Sequence, residues 1–594
     1  MGTPVRYHVD LSARRQHLVR VTLQVPDDVG PGARLVMATW TPGSYVMRDY
    51  VHHLQSITAS NADGDVPLEL DGHTAWRLPD DVAGPVEVSY ELYANELTVR
   101  TNHVDDHHAL LVAPATFVFI EGERDRRHVV EVDADGDTVW SLLPDGASRG
   151  EAAGTFVADD LDHLIDSAFE VGDHPHTTAE VRGVPHHFVW TGHGGRPDLD
   201  ALATDMADIG EAAVALFDGD LPVDEYTFLI VGWDAGAGGL EHRDGSVLMM
   251  PVTTFQDADG YARLQSLIAH EYLHLWNVKR LTPAELVRPD LVAHTHTRLL
   301  WVAEGWTAYY DELLPLRAGR WTMARYLKAL ADQADRVRWR PGVDLQSVEE
   351  ASHTAWTKLY IRDENWGNAG TDYYAHGAVL AWCLDLLIRR ERPDGDGLDE
   401  AFRTLWREHA RTDAGYTDAD VRAATSQAAG TDLGWFFDAH VRGRALPDVE
   451  DLVGAVGLQF THPEPEGGDI PHLGVEVSDA DAGVTVSTVA RGGPAWEAGV
   501  TGGDALLAID GQAVGRGQLP TILRGRDSDD EVLLTVRRGP RVLTLTARLG
   551  APRRASVLAP VDEPTDAQQA AFRSWTGQDL DSLPAPDGQS GTPG

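Results

Sequence analysis

The chain has 594 residues, of which 93 are acidic and 49 basic, giving a formal net charge of −44 at pH 7. A surface this acidic disfavours nucleic acid and anionic membrane as partners, because both would repel it. The length predicts three or four domains, and the single cysteine, Cys383, excludes an intramolecular disulfide and a cysteine-built metal cage.

The first twenty residues carry charges throughout and lack the apolar core of a signal peptide. No run approaches the 18 apolar residues that a membrane span needs. We therefore expect a cytoplasmic protein.

Short runs of alternating apolar and polar residues, broken by Gly, Pro and Asp, fill residues 1–170. Examples are 17–25, 86–93 and 128–132. This period of two predicts an N-terminal antiparallel β domain.

The hydrophobic periodicity changes in residues 171–445, which we predict to form one largely helical domain. It begins with strands at 180–190, 226–233 and 246–250 and a helix within 197–217. A helix that starts near Asp257 or Asp259, either a suitable N-cap, follows. Later helices are predicted at 298–315, 321–335, 373–391, 397–410, 418–426 and 432–442.

The remaining residues predict a linker and a second strand-rich domain. Residues 446–470 are rich in Pro, Gly and Glu and are expected to be the linker. Five strands and two short helices are expected in 471–550. Residues 551–594 have the composition of a tail, with one short helix possible at 565–575. The expected fold class is multidomain α+β.

The strongest candidate for a metal site is His270-Glu271-Tyr272-Leu273-His274, an H-E-x-x-H motif within the predicted helix. Residues four apart lie on one helix face, so His270 and His274 can both reach one metal ion. Glu271 is placed to hold a water molecule and take its proton.

A third protein ligand is needed, and the candidates downstream are His294, His296, Glu304, Asp311 and Glu312. We favour Glu304, the single charge in the apolar run 299–307, because coordination would offset the cost of burying it. Asp311 and Glu312 are expected on a solvated helix face.

Upstream, Gly238-Gly239-Leu240-Glu241-His242 lies between two predicted strands. The glycines would let a substrate backbone approach, and Glu241 could pair with a free α-amino group. The same residues also suit an ordinary turn.

These motifs together resemble the PDZ-containing glycyl aminopeptidase family of gluzincin zinc metallopeptidases. The similarity lies in residues 270–280 and 304–310, in Trp40-Thr41-Pro42-Gly43-Ser44-Tyr45, in 93–102 and in Tyr373-Tyr374-Ala375-His376-Gly377. His376 stands where the family has lysine, so the charge at that position becomes pH-dependent.

The resemblance implies a thermolysin-like, mainly helical catalytic domain that binds one Zn²⁺ per chain through His270, His274 and Glu304. Glu271 would activate water, and Tyr374 would hydrogen-bond the developing oxyanion. Gly238, Gly239 and Glu241 would receive the substrate's N-terminus.

Leu473-Gly474-Val475 resembles a PDZ carboxylate-binding loop, and 491–500 with 503–511 resembles a PDZ core. Such a domain takes a peptide C-terminus by adding a strand to a sheet edge.

We expect an aminopeptidase that acts on peptides with small, glycine-like N-terminal residues. The alternatives are a zinc endopeptidase to which the PDZ-like domain delivers substrate, and a non-catalytic PDZ adaptor. The sequence does not predict the oligomeric state.

Overall fold

A computed structural model describes residues 2–152, 154–192, 197–234, 236–480 and 483–583. The chain divides into two compact units. Unit 1 comprises Met1–Thr297, Tyr310–Arg320 and Leu405–Thr417, and unit 2 comprises Arg298–Tyr309, Trp321–Thr404 and Asp418–Gly594. The predicted residues 584–594 of the tail lie outside the described part.

Unit 1 begins with the predicted β-rich domain. Its strands are β1 (Val5–Asp10), β2 (Leu18–Val25), β3 (Arg34–Met37), β4 (Leu54–Asn61), β5 (Gly64–Val66), β6 (Glu69–Leu70), β7 (Ala75–Arg77), β8 (Val86–Tyr93), β9 (Asn95–Thr98), β10 (Thr101–Val104), β11 (Ala109–Val112), β12 (Val118–Ile120), β13 (His128–Asp133), β14 (Val139–Ser141), β15 (Thr155–Ala158) and β16 (Ala168–Val171). Its helices are α1 (Ala113–Thr116) and α2 (Leu161–Ile165).

These strands form three sheets, with the orders β15-β13-β1-β2-β8-β4-β5, β14-β16-β11-β10-β9 and β12-β3-β7-β6. The pairing is antiparallel as expected, except that β1 runs parallel to β13. Burial alternates along β8, which is why its sequence pattern could be recognised as a strand. Most of the inward side chains form one apolar core, and a second cluster joins Leu110, Val112 and Ala168 to the sheet that follows in unit 1.

The second part of unit 1 is a five-stranded sheet with two long helices. Its elements are β17 (His176–Val181), β18 (Val184–Gly192), α3 (Leu199–Leu216), β19 (Tyr226–Trp233), β20 (Gly238–His242), β21 (Gly245–Pro251) and α4 (Ala258–Leu273). The strand order is β17-β18-β19-β21-β20, and β19 runs parallel to both of its neighbours.

One prediction in this sheet was wrong. The single strand predicted at 180–190 includes the turn of the hairpin β17–β18, because the chain reverses at Arg182 and Gly183, both with positive φ. Residues Gly238–His242, which could also have formed an ordinary turn, form strand β20.

Unit 2 contains most of the helical domain and all of the C-terminal part. The helices that lie in it, wholly or in part, are α5 (Leu300–Ala303), α6 (Gly305–Arg317), α7 (Met323–Arg338), α8 (Val348–His353), α9 (Trp366–Ala369), α10 (Ala375–Glu391), α11 (Leu398–His409), α12 (Asp418–Ala429), α13 (Gly434–Phe436) and α14 (Val449–Leu452). The helix predicted at 298–315 is interrupted at Glu304. A π-helical turn, Phe437–Val441, follows α13.

The C-terminal part of unit 2 contains the PDZ-like sheet. Its elements are β22 (Leu458–Thr461), β23 (Val475–Ala480), β24 (Gly483–Val489), α15 (Pro494–Glu497), β25 (Ala505–Ile509), β26 (Gln512–Ala513), α16 (Leu519–Leu523), β27 (Glu531–Arg538), β28 (Arg541–Arg548), β29 (Val557–Pro560) and α17 (Asp566–Thr576). The sheet order is β23-β24-β25-β27-β28.

The predicted linker is more ordered than its composition suggests. It contains α14 and strand β22, and β22 pairs with β29 from the predicted tail. The reason is apolar burial, since Leu452, Val453, Val456 and Leu458 are all in the core. The helix expected at 565–575 forms as α17.

In the described part of the chain, no helix has both the length and the apolar character that crossing a membrane requires.

Candidate active site

Helix α4 carries the H-E-x-x-H motif. The Asp257 side chain caps its first turn by accepting the Gly260 N–H at 2.6 Å, as the sequence predicts. The helix ends at Leu273, and His274 is its C-cap residue. The rings of His270 and His274 lie with their centroids 4.7 Å apart, so the four-residue spacing brings the imidazoles together.

Each imidazole is oriented by a bond at Nδ1. That atom of His270 lies 2.9 Å from Asp311 Oδ2, and that of His274 lies 2.7 Å from the Asn277 carbonyl. Carboxylate and carbonyl oxygens only accept, so each Nδ1 carries the proton and each Nε2 presents a lone pair. This arrangement is typical of metal-binding histidines. The donor set therefore fits a borderline-soft cation such as zinc.

Asp311 corrects a prediction. We expected it on a solvated helix face, but its side chain is only 13% exposed and holds His270. The sequence pattern could not show this, because the contact depends on how α6 and α4 pack.

Glu271 and Glu241 lie beside His274 in unit 1. One ligand atom from each of these three residues falls within 4.8 Å of the others. Glu241 is on strand β20 and is 4% exposed. Its Oε1 accepts no hydrogen bond from any residue that the structure describes. A buried carboxylate oxygen without a donor is costly, so Oε1 is a candidate acceptor for a donor on a bound molecule.

Glycines are required next to both carboxylates. A Cβ at Gly239 would overlap the Glu271 carboxylate, and a Cβ at Gly43 would overlap that of Glu241. Gly43 lies against the Glu241 carboxylate, which accounts for the glycine in the 40–45 motif of the β domain. The 93–102 motif reaches the same strand, because Arg100 Nη2 donates to the Gly239 carbonyl at 3.2 Å.

A buried lysine lies behind Glu241. Lys279 Nζ is 2.8 Å from Asp166 Oδ1 and 3.9 Å from Glu241 Oε1. Burial alone would raise the pKa of Asp166, but Lys279 and His242 hold it below its ordinary value. The pKa of Lys279 is raised by the two carboxylates against the effect of burial, so the ammonium is charged. Sequence reasoning missed this pair, although Lys279 is one of only three lysines in the chain.

Glu241 and Lys279 also border an open cavity of about 1100 Å³ within unit 1. Its wall includes Trp40 and Tyr45 from the β-domain motif. The cavity is large enough to receive several residues of a peptide.

Glu304 and Tyr374 are neighbours in unit 2. Glu304 is 2% exposed and lies at the junction between α5 and α6. Burial, and then the negative charge of Glu304, raise the pKa of Tyr374 well above its ordinary value. The Tyr374 hydroxyl therefore stays protonated and can donate a hydrogen bond, and it lies 3.1 Å from that of Tyr360.

Two glycines allow the backbone after Glu304 and the backbone after His376 to pack closely against each other. A Cβ at Gly305 would strike the backbone of Gly377 and Tyr373, and a Cβ at Gly377 would strike the Gly305 backbone. The contact explains why glycine follows both Glu304 and the Tyr373–His376 stretch.

His376, the departure from the family pattern, is buried and bonded through Nδ1 to Thr371 Oγ1 at 3.0 Å. Burial lowers its pKa to about 4, so the ring is neutral near pH 7. Cys383 is buried as expected.

In the PDZ-like domain, Leu473 and Gly474 precede strand β23, which begins at Val475. Gly474 has a φ of 77°, and the Leu473 carbonyl accepts the Ala495 N–H at 2.9 Å. Among the described strands, β23 pairs only with β24, which leaves its other edge open.

Three family models match the chain. Residues 263–380 match M61 glycyl aminopeptidase, 6–173 match the peptidase M61 N-terminal domain, and 471–549 match a PDZ domain. No curated protein matches the chain.

Solved structures are also similar. An aminopeptidase N family protein from Idiomarina loihiensis is 28% identical with a TM-score of 0.90, over 96% of this chain and 100% of that one. An M1 zinc metallopeptidase variant from Deinococcus radiodurans, bound to a Tyr-Ser-Ala substrate, is 13% identical with a TM-score of 0.46, over 75% and 94%. Legionella pneumophila aminopeptidase A is 14% identical with a TM-score of 0.44, over 94% and 56%.

The site chemistry, the two M61 models and the full-length likeness to the Idiomarina protein agree, and they confirm the resemblance seen in the sequence: the chain is a metallopeptidase with M61 glycyl aminopeptidase domains and a PDZ domain.

Proposed function

We propose that this metallopeptidase is a zinc aminopeptidase that removes single small, glycine-like residues from the N-termini of peptides. The observation that carries the exopeptidase assignment is the buried carboxylate of Glu241: its Oε1 lacks a hydrogen-bond donor among the described residues, and one of its oxygens lies within 4.8 Å of ligand atoms of Glu271 and His274. A substrate ammonium would supply that donor.

His270 and His274 would hold the metal through Nε2, and Glu304 would be the third ligand. Support for Glu304 comes from helix register. Its carbonyl accepts the Ala308 N–H at 2.7 Å, so it continues the winding of α6. Asp311, seven residues later, lies two turns along on the same face and contacts His270.

Zinc bound there would polarise the scissile carbonyl and lower the pKa of a water molecule. Glu271 takes a proton from the attacking water and returns it to the leaving amine. The protonated Tyr374 hydroxyl donates to the developing oxyanion. Glu241 holds the substrate ammonium, so only the first peptide bond reaches Glu271.

The small-residue preference rests on the family description of the matched model, glycyl aminopeptidase. A panel of aminoacyl reporter substrates, with and without a chelator, tests both the preference and the metal. We expect Gly and Ala to be cleaved fastest and chelation to abolish cleavage of every member.

Free and N-acetylated peptides of one sequence test the exopeptidase assignment. We expect cleavage of the free peptide only. Glu241→Gln should lower kcat/KM for it by about 100-fold or more, because a buried charge partner is lost. Glu271→Gln is the inactive control that retains the metal site. Equal cleavage of both peptides would replace this proposal with the endopeptidase alternative.

We infer that the PDZ domain binds peptide C-termini at Leu473, Gly474 and Val475, with the peptide adding to the open edge of β23. The side chains of Glu476 to Asp479 on this strand are exposed, which supports the assignment. Binding of a peptide with a free C-terminus, and loss of binding when it is amidated, would support the assignment. Equal binding of both would contradict it.

A further inference from the structure

A second cluster of metal-binding side chains lies in the β domain, on the hairpin formed by β10 and β11. The four residues 105–108 make its turn, closed by the Asp105 N–H donating to the His108 carbonyl at 2.9 Å. His103 pairs with Leu110, two residues after His108. Side chains alternate along a strand, so this register places His103, Asp105 and His108 on one face.

The three side chains converge. One ligand atom from each lies within 4.8 Å of the other two. His103 Nδ1 is 3.0 Å from His108 Nε2, a hydrogen-bond distance that needs to widen by only about 0.3 Å for both nitrogens to bind one zinc ion. Asp105 Oδ1 accepts the backbone N–H groups of His107 and His108 at 2.8 and 3.0 Å, which hold its carboxylate in place.

The buried carboxylate of Glu170 orients the His108 ring by bonding its Nδ1, the nitrogen that does not face His103. Glu170 pairs with Leu110 across β11 and β16, so it shares the face of the cluster. Its Oε1 lies 3.0 Å from His108 Nδ1 and 2.9 Å from His174 Nε2. Glu170 is fully buried and accepts a hydrogen bond from His108 Nδ1, so the His108 Nε2 lone pair faces His103 and accepts the hydrogen bond from its Nδ1. A carboxylate behind a histidine is the pattern of outer-shell support at metal sites.

We propose that His103, Asp105 and His108 form a second metal site that binds a divalent cation of the Zn²⁺ class, separate from the catalytic centre. Two neutral imidazoles and one carboxylate suit Zn²⁺, with a water as fourth ligand. His108 is buried and Asp105 is half-buried, so the ion enters from the turn. The bound ion crosslinks the two strands and stabilises the hairpin.

The test is Zn²⁺ stoichiometry of the chelator-stripped full-length chain, measured by calorimetry and by metal analysis after gel filtration. The wild type should bind two equivalents, and a His270→Ala, His274→Ala variant should keep one. In that background His108→Gln should abolish binding, and Glu170→Gln should weaken it by about 10- to 100-fold. His107→Gln, an exposed neighbour in the same turn, is the matched control and should bind normally.

Asp105→Asn provides a second test if His108→Gln does not fold, and it should weaken binding while the hairpin remains intact. No Zn²⁺ bound by the His270→Ala, His274→Ala variant, or full binding by both His108→Gln and Asp105→Asn, would overturn the proposal. A wild type that binds one equivalent, lost with His108→Gln but not with His274→Ala, would support this site and contradict the catalytic one instead.

Discussion

The ammonium of Lys279 lies between two buried carboxylates with different roles. Asp166 bonds it at 2.8 Å, whereas Glu241 stays 3.9 Å away. Lys279 thus balances the charge of Glu241 without donating a hydrogen bond to its Oε1. The bond to Asp166 holds the ammonium in that place.

Replacing Lys279 by an uncharged residue should lower the stability of the fold. Lys279→Met keeps much of the side-chain volume but leaves Asp166 buried without its counter-ion. We expect the free energy of unfolding to fall by about 3–5 kcal/mol. Chemical denaturation measures this. The double variant Lys279→Met, Asp166→Asn should recover part of the loss, and strictly additive losses would contradict the coupling.

His128 makes unfolding sensitive to acid. The ring is buried against Tyr7, and neither nitrogen has a hydrogen-bond partner among the described residues. Burial, reinforced by Arg126, lowers its pKa to about 3. In the unfolded chain the pKa is about 6.5. Below that pH the unfolded state binds a proton that the folded state does not, so stability falls as pH drops from about 6.5 to 3.

His128→Phe should therefore remove about 2 kcal/mol of the stability lost between pH 7 and pH 5, at about 1.4 kcal/mol per unit. Urea unfolding at several pH values measures this slope. Some slope should remain, because burial also lowers the pKa of His186 to about 4. His73→Gln, at an exposed position, is the control. An unchanged slope in His128→Phe would contradict the assignment.

At the scale of elements, the segments around Glu304 and Tyr374 depend on one glycine–glycine contact. The atoms that a Cβ at Gly305 would strike belong to the backbone, which cannot rotate away. The two segments must separate instead, and the separation moves Glu304 relative to Tyr374.

Gly305→Ala should lower stability by about 1–3 kcal/mol and reduce kcat more than it changes KM. Melting and steady-state kinetics measure both effects. Gly367→Ala in helix α9 is the matched control, because its Cβ would meet no atom within 4 Å. That variant should be neutral or slightly more stable. Wild-type kinetics in Gly305→Ala would show that the contact does not position these residues.

Elements whose signal is local could be predicted from the sequence. Helix α4 was recognisable from its period and from Asp257, and β19 from its apolar run. The hairpin β17–β18 was missed because Arg182, rarely found at positive φ, makes its turn. The contact of Asp311 with His270 was missed because it joins distant segments, and no short pattern encodes such packing.

At the scale of the whole molecule, the order of the domains could be predicted from the sequence, but one strand pair could not. The order of a β domain, a helical domain and a PDZ domain was predictable, because each has its own pattern and motifs. The strand pair β22–β29 was not, since it joins two segments about 100 residues apart whose compositions indicated a linker and a tail.

With a net charge of −44, self-repulsion should weaken folding at low ionic strength. Raising NaCl from about 0.1 M to 1 M shortens the screening length from about 10 Å to about 3 Å. We expect the melting temperature at pH 7 to rise by several degrees. Near the isoelectric point of about 4.8 the rise should be much smaller. An equal rise at both pH values would indicate a general salt effect.

The contact of Gly43 with Glu241 bears on how the chain can be divided. The H-E-x-x-H motif lies after residue 260, whereas Gly43, which touches Glu241, and Asp166, which bonds Lys279 beside it, belong to the β domain. If Glu241 receives the substrate ammonium as proposed, exopeptidase specificity depends on both domains, and a helical domain transferred alone to another protein should lose it.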